Sequence, residues 1–382
     1  MRVLQVSKFF PPVMGGIESV AWELAEGLNR AGVSTDVLCS NQQPRTVHDV
    51  APAGYAVTRA GSFGRLLSTS MSPALVGQML RLGARYDIVH VHMPDPMAAI
   101  ALWVTRPRPP QAVVVHWHSD VVRQRIALRL YEPLQHWLLE RADAIIATSE
   151  AYAQASEVLR AWRDKVAVIP IGISDNRAHG CSDQAAAIRQ RFRKRKLVFA
   201  LGRMTYYKGF EVLIDAAAAL PDDCAVLIGG DGEMIERYRT QVARRGLAGK
   251  VHLPGQIPDH ELAGHFEACD VFCMPSTARA EAYGVVMLEA MVMGKPIVAS
   301  DIGGSGVPWV NVDGETGFNV PVGQAEALAG ALGRLLQDAP LRERMGEASR
   351  RRYLNDFNAT LMTQRILGLY ERVLGGPALR AA

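Results

Sequence analysis

The stretch from Asp270 to Ser300, DVFCMPSTARAEAYGVVMLEAMVMGKPIVAS, leaves the chain few folds to choose from. DVFCMPS reads as a short strand, Gly284 sits in the loop after it, an apolar helical segment closes near Gly294, and Pro296 opens the next apolar run, PIVAS. Strand, loop, helix and strand in that order make the βαβ unit of a parallel sheet, because parallel neighbours need a crossover that a tight hairpin cannot supply. Ligands bind such sheets at the loops leaving the C-terminal ends of the strands. Glu281 falls on that loop. Glu289 lies roughly one and a half turns into the helix, at about 3.6 residues per turn, so both carboxylates can face one crevice. The helix N-terminus beside them offers unpaired N–H groups and a partial positive charge, which suits a phosphate. Taken alone, the two glutamates read more readily as a solvated loop acid and a dipole-stabilising helix acid.

The same alternation runs in both directions. In the first half VLQVS (3–7), VSTDVLCS, DIVHVH, AVVVHWH, DAIIATS and VAVIPIG are predicted strands. Helices are predicted at about 18–31, over PALVGQMLRLGARY and PMAAIALWVT, and at 121–141, while 41–72 holds one short strand, YAVTRA, and a Ser-rich turn. At 172–195 the chain becomes polar and strandless, which predicts an interdomain linker. The alternation then restarts with KLVFALG and continues through AVLIGG, VHLPG, DVFCMPS and PIVAS, with helices at 209–220, 233–246, 259–268, 324–337, 340–351 and 359–374. At 382 residues the chain exceeds the size at which one core keeps growing. The expected architecture is α/β, with two Rossmann-like parallel-sheet domains facing a cleft. The expected boundaries are 1–171 for an N-terminal acceptor domain, 172–195 for the linker and 196–358 for a C-terminal donor domain. A C-terminal helix and tail, 359–382, can pack back on the N-terminal domain.

Composition excludes several classes. Lys plus Arg (42) exceed Asp plus Glu (38) by four, too little for a dedicated nucleic-acid binder. No apolar run approaches the length of a membrane span, and the N-terminus MRVLQVSKFFPP reads as a strand rather than a signal peptide. Five cysteines (39, 181, 224, 269, 273) contain no C-x-x-C pair, which suits reduced thiols in the cytoplasm.

The chemistry-bearing residues gather at strand ends. After LVFALG comes RMTYYKG, which places Arg203 and Lys208 in a loop just before a helix. A guanidinium fork and an ammonium point charge beside helix N–H groups are what a diphosphate requires, although two solvated loop cations look the same in sequence. Gly15-Gly16 lets backbone approach a ligand, or simply forms a turn. His90 and His92 share one strand face, as do His116 and His118, because side chains alternate along a strand. Four such histidines resemble a metal site in spacing, but without evident carboxylate ligands they are read as buried and hydrogen-bonded, and no metal ligands are assigned. His118-Ser119-Asp120 ends its strand and faces the ligand side. The chain has no D-x-D triplet to hold a divalent ion on a leaving diphosphate.

E-x7-E from Glu281, G-R-x4-K-G from Gly202 to Gly209, the Gly15-Gly16 loop and the HSD at 118–120 together resemble glycosyltransferase family 4, in the right order through nearly the whole chain. The resemblance implies the GT-B fold, a nucleoside-diphosphate-sugar donor, and retaining transfer with no cofactor or essential metal. By position it implies that Glu289 holds the ribose hydroxyls, Glu281 contacts the donor sugar, and Arg203 with Lys208 clamps the diphosphate. Backbone at Tyr283, Gly284 and Val285 would meet sugar or phosphate, Gly16 would lie under the diphosphate, and His118 would face the transferred sugar. His118 and Glu281 are thus the expected catalytic pair.

One departure narrows the subgroup. GGSGVPWVN places Trp309 where many members carry a glutamate. With HSDVVRQ and YYKG, this variant is similar to bacterial O-antigen and polysaccharide mannosyltransferases. That implies GDP-mannose or another nucleotide sugar as donor, and a lipid-linked glycan acceptor in lipopolysaccharide or related synthesis. A UDP-sugar-dependent transferase, a nucleotide-sugar epimerase and a non-catalytic nucleotide-sugar binder remain the alternatives. Two basic segments, VVRQRIALRLYEPLQHWLLERA with Arg123, Arg125 and Arg129, and RQRFRKRK, suit peripheral contact with the cytoplasmic face of an inner membrane, although such a helix more often packs on its own domain and such a cluster is otherwise a solvated helix end.

Overall fold

The computed structural model describes residues 1–66, 69–120, 125–176, 181–193 and 195–375. The Arg123 and Arg125 side chains, Lys194 and the C-terminal tail, all of which carried expectations above, lie outside what is described.

Contacts divide the chain into two compact units, Met1–Gly172 with the segment from Ala359 onward, and Ile173–Asn358. Unit 1 contains β1 (Arg2–Ser7), α1 (Gly16–Arg30), β2 (Ser34–Ser40), β3 (Val47–Val50), β4 (Ala56–Ala60), β5 (Arg65–Leu66), β6 (Thr69–Ser70), α2 (Pro73–Leu82), β7 (Ile88–Met93) and α3 (Pro96–Thr105). It continues with β8 (Ala112–Trp117), α4 (Arg125–Arg141), β9 (Ala144–Ala147), α5 (Glu150–Ala155), α6 (Glu157–Arg160) and β10 (Val166–Val168). Its main sheet has the order β10-β9-β8-β7-β1-β2-β4-β3. Every pair in it is parallel except β3 with β4. Central strands are fully buried, as in VHVHM of β7 and AVVVHW of β8, which is why they read as apolar runs interrupted only by histidine.

Unit 2 contains α7 (Ser182–Arg191), β11 (Lys196–Leu201), α8 (Phe210–Ala217), β12 (Cys224–Gly229), α9 (Ile235–Arg244), β13 (Val251–Gly255), α10 (Asp259–Ala268) and β14 (Val271–Met274). It closes with α11 (Val285–Val292), β15 (Ile297–Asp301), α12 (Val307–Val310), β16 (Gly317–Pro321), α13 (Ala325–Gln337) and α14 (Ala339–Arg352). The sheet order is β13-β12-β11-β14-β15-β16, all parallel. Its core joins Val198 and Ile228 of the strands to Phe210, Leu213 and Tyr238 of the helices and Leu332 of α13.

The expected linker at 172–195 is corrected. Within it, Ser182–Arg191 is helix α7, with Ala185 buried. Gly264 of α10 packs against Gln184, and Cys181 Sγ donates to Glu267 Oε2 at 2.8 Å. Its polar composition reflects a helix with one narrow buried stripe rather than a tether.

The last helix, α15 (Ala359–Gly375), belongs to unit 1 and packs on α1, with Thr363 against Gly27. Tyr370 is fully buried there and bonds to His90 Nδ1 at 2.6 Å. All five cysteines are free and buried. No helix among the described residues is long and apolar enough to cross a membrane.

Candidate active site

In unit 2, β11 and β14 are sheet neighbours, so the loops leaving their C-terminal ends lie side by side. Those loops are tied by Thr277 N–H donating to Tyr207 O at 2.7 Å. Gly209 adopts a left-handed φ of 65° and sits directly on Pro275 O, where a Cβ would collide with that carbonyl. The arrangement brings two residues from separate motifs together. Lys208 Nζ donates to Glu281 Oε2 at 2.5 Å, and Ser276 Oγ donates to the same oxygen at 3.0 Å. Both members of the ion pair are largely shielded, with side chains 12% and 11% exposed. Burial alone would lower the Lys208 proton affinity, but the Glu281 carboxylate and Tyr207 together more than offset this, so the ammonium titrates above the usual lysine range. Arg203, exposed at the start of the same loop, acts in the opposite sense on Lys208. Gly202 leaves the Lys208 stem room, since a Cβ there would lie 3.1 Å from its Cε.

The loop continues into α11 through Gly284, whose φ of 80° makes it a left-handed N-cap. An added Cβ would lie 2.8 Å from Met287 Cε and 2.9 Å from Met274 Sδ. Glycine is required here on both conformational and steric grounds. Val285 therefore opens the helix, and Glu289 lies on it half-buried. Ala282 O accepts from Gly306 N at 2.7 Å, which pins the loop to the segment after β15. Tyr283 is buried, its ring 6.3 Å from Trp309 and 6.4 Å from Phe357. Trp309, at the position that departs from the common glutamate, stacks edge-on with Phe357 at 5.3 Å and carries the Arg352 guanidinium over its ring. It supports the Tyr283 loop from beneath.

In unit 1, Gly15 is the extended N-cap of α1 and Gly16 its first residue, both exposed. His118 follows β8 directly and is 6% exposed. Asp120 works inside the loop: it accepts from Trp117 Nε1 at 3.0 Å and from Ser156 Oγ at 2.8 Å. His90 and His92 of β7, His116 of β8 and His118 just after it form one ring cluster, with neighbouring centroids 4.3–5.4 Å apart; His92, His116 and His118 stack on one another. His90, His92 and His116 each present a nitrogen within 4.8 Å of the others. Those nitrogens bond to Tyr370, to Gln5 and to neighbouring imidazoles, while His116 Nε2 has no partner among the described residues. Burial holds all four well below the usual imidazole range, His116 at about 3.

Three polar participants carry no motif and were not singled out from sequence. Gln5 bonds the histidine group, Ser276 holds Glu281, and Asp95 caps α3 through Met97 N at 3.1 Å. Burial raises the Asp95 carboxyl to about 6. The available signal for Asp95 was an Asp-Pro pair closing a strand, a common helix start. Ser276 had only its place at a strand's C-terminal end.

Residues 183–352 match the profile of glycosyl transferases group 1, and residues 15–172 match that of the glycosyl transferase 4-like domain. An O-antigen chain mannosyltransferase C of Escherichia coli is 32% identical over 98% of this chain and 99% of its own. A D-rhamnosyltransferase of Pseudomonas aeruginosa is 34% identical over 94% of this chain and 93% of its own. The solved structure of a sucrose-phosphate synthase from Thermosynechococcus elongatus superposes with a TM-score of 0.82 at 25% identity, covering 97% of this chain and 98% of that one. With two parallel-sheet units in the family's order and full-length relatives above 30% identity, this chain belongs to the group 1, family 4 glycosyltransferases and is a glycosyltransferase.

Proposed function

We propose that the protein transfers mannose, with retention at the anomeric carbon, from GDP-mannose to a lipid-linked glycan acceptor used in cell-surface polysaccharide synthesis. The observation that carries the reading is the shielded Lys208–Glu281 pair at adjacent strand ends, beside the N-terminus of α11. A buried ion pair of this kind is poor value as a stabilising device, since desolvation consumes most of its Coulomb energy. It is well suited to reorganisation: a donor diphosphate offers Lys208 a second anionic partner, and a sugar hydroxyl offers Glu281 a donor.

In this reading the diphosphate lies against Arg203, Lys208 and the first turn of α11, with Glu289 on the ribose and Glu281 on the sugar. His118 hydrogen-bonds to the transferred sugar, and the glycine backbone at Gly16 passes under the diphosphate. As the glycosidic bond breaks, negative charge accumulates on the leaving diphosphate, where fixed cations interact with it most strongly. The departing phosphate oxygen then takes the acceptor proton in a front-face displacement, so no covalent enzyme intermediate and no metal are required. Mannose is supported by the name of the Escherichia coli relative, and a related hexose by the rhamnosyltransferase. Exposed Arg129 and Leu130 on α4 support a lipid-bound acceptor at a membrane surface.

The test is a panel of GDP- and UDP-sugars, each with and without a polyprenyl-diphosphate-linked glycan. Transfer from GDP-mannose only in the presence of acceptor is expected. Turnover of UDP-sugars alone would overturn the donor assignment, and conversion of a donor without acceptor would point to epimerisation.

A further inference from the structure

Gln5, His92 and His118 stand on three neighbouring strands or their ends, since β1 pairs with β7 and β7 with β8. Gln5 and His92 are essentially inaccessible to solvent, and His118 nearly so. Gln5 Oε1 lies 2.9 Å from His92 Nε2, and His92 Nδ1 lies 2.9 Å from His118 Nε2. An amide oxygen can only accept, so His92 carries its proton on Nε2. A neutral imidazole has one N–H, so His92 Nδ1 is a lone pair and must accept from His118 Nε2–H. The same rule leaves His118 Nδ1 as a lone pair. Burial keeps both rings neutral, which preserves the one-proton logic across the chain of bonds.

We infer that Gln5 and His92 are positioning residues that lock His118 in the Nε2–H tautomer, so that its Nδ1 is presented as a fixed acceptor for a hydroxyl of the transferred sugar. The inference rests on the reading that His118 meets that sugar. Sugar hydroxyls both donate and accept, and a site with a fixed acceptor accepts only the hydroxyl orientation that points a proton at it. Preorganisation of this kind removes the cost of selecting a tautomer in each binding event. A carboxylate in place of Gln5 would charge His92 and give it two donors, reversing the polarity, so the neutral amide is the side chain the arrangement needs.

The experiment joins ring-nitrogen NMR to kinetics on the full chain. With nitrogen-labelled histidine, and His118 assigned by comparison with His118→Gln, long-range couplings should show His118 with Nε2 protonated and Nδ1 bare. His118 protonated on Nδ1, or averaging between tautomers, would overturn the inference. Gln5→Leu should convert the single tautomer into a mixture. His92→Leu should lower kcat roughly tenfold, the cost of one misdirected hydrogen bond, with KM little changed. His92→Gln, whose amide oxygen can still accept from His118, should restore most of it. Equal loss in both His92 variants would mean a packing role and overturn the inference. Full activity in His118→Gln, with the tautomer intact in the wild type, would instead sink the sugar-contact reading and leave the positioning chain standing.

Discussion

Lys208 Nζ and Glu281 Oε2 are 2.5 Å apart although 73 positions separate them in the chain. The contact exists because β11 and β14 are adjacent, and it makes one electrostatic unit of the two loops expected to hold opposite ends of a donor.

Lys208→Ala is expected to lower kcat about a hundredfold or more while raising KM much less, because charge on the leaving diphosphate peaks in the transition state. Steady-state kinetics with GDP-mannose and a lipid-linked acceptor checks this. A rise in KM with kcat unchanged would reduce the lysine to a ground-state anchor.

The same pair makes a stability prediction. Removing one partner strands a shielded charge, so Lys208→Met and Glu281→Leu should each cost about 3 kcal/mol in urea unfolding. The double variant should recover most of that loss. Additive losses in the double variant would show that the two side chains act independently.

Gly284→Ala should destabilise unit 2 by at least about 1 kcal/mol, from the left-handed backbone alone. Crowding on Met274 and Met287 should also shift the Glu281–Val285 loop and weaken donor binding. Calorimetric titration with the donor and a thermal melt measure the two effects. Unchanged affinity would mean that the loop does not touch the donor.

Stability should fall on mild acidification. His90, His92, His116 and His118 titrate far below 6.5 when folded, so below that pH the unfolded chain binds more protons and folding loses about 1.4 kcal/mol per pH unit for each histidine. Asp95 works the other way: raised from 3.8 to about 6, it favours the folded state as pH falls through that window, but it is one group against four. Urea midpoints between pH 7.5 and 5 should therefore drop steadily. A flat profile would mean that the histidines are already reached by solvent.

Transfer activity should survive EDTA, because cations and a helix end are assigned the role an acidic metal site plays elsewhere. Loss of activity that Mg²⁺ or Mn²⁺ restores would overturn that assignment.

Buried parallel strands such as β7, β8 and β14 were legible because both faces are covered and the residues are nearly all apolar. β3, VHDV, was not, since three of its four residues are exposed and its partner supplies the only reason for it to be extended. β16 was hidden by its own end residues Gly317 and Pro321, and α7 by a polar surface. At the site, Lys208 and Glu281 each stood out, but their meeting depends on strand order, which periodicity does not encode. Gln5 left no signal: a lone amide in an apolar strand acquires meaning only beside His92.

Helix α15 is the last described element to leave the ribosome, yet it completes the first unit, where Tyr370 bonds His90. Unit 2 is one continuous stretch and can fold as soon as residue 358 has emerged. Unit 1 cannot finish until α15 has emerged, and its sheet must wait through the making of the entire second unit. The half of the molecule that carries the histidines is therefore the half exposed longest to misfolding, and a fragment ending at Gly172 would lack the tyrosine that bonds their buried group.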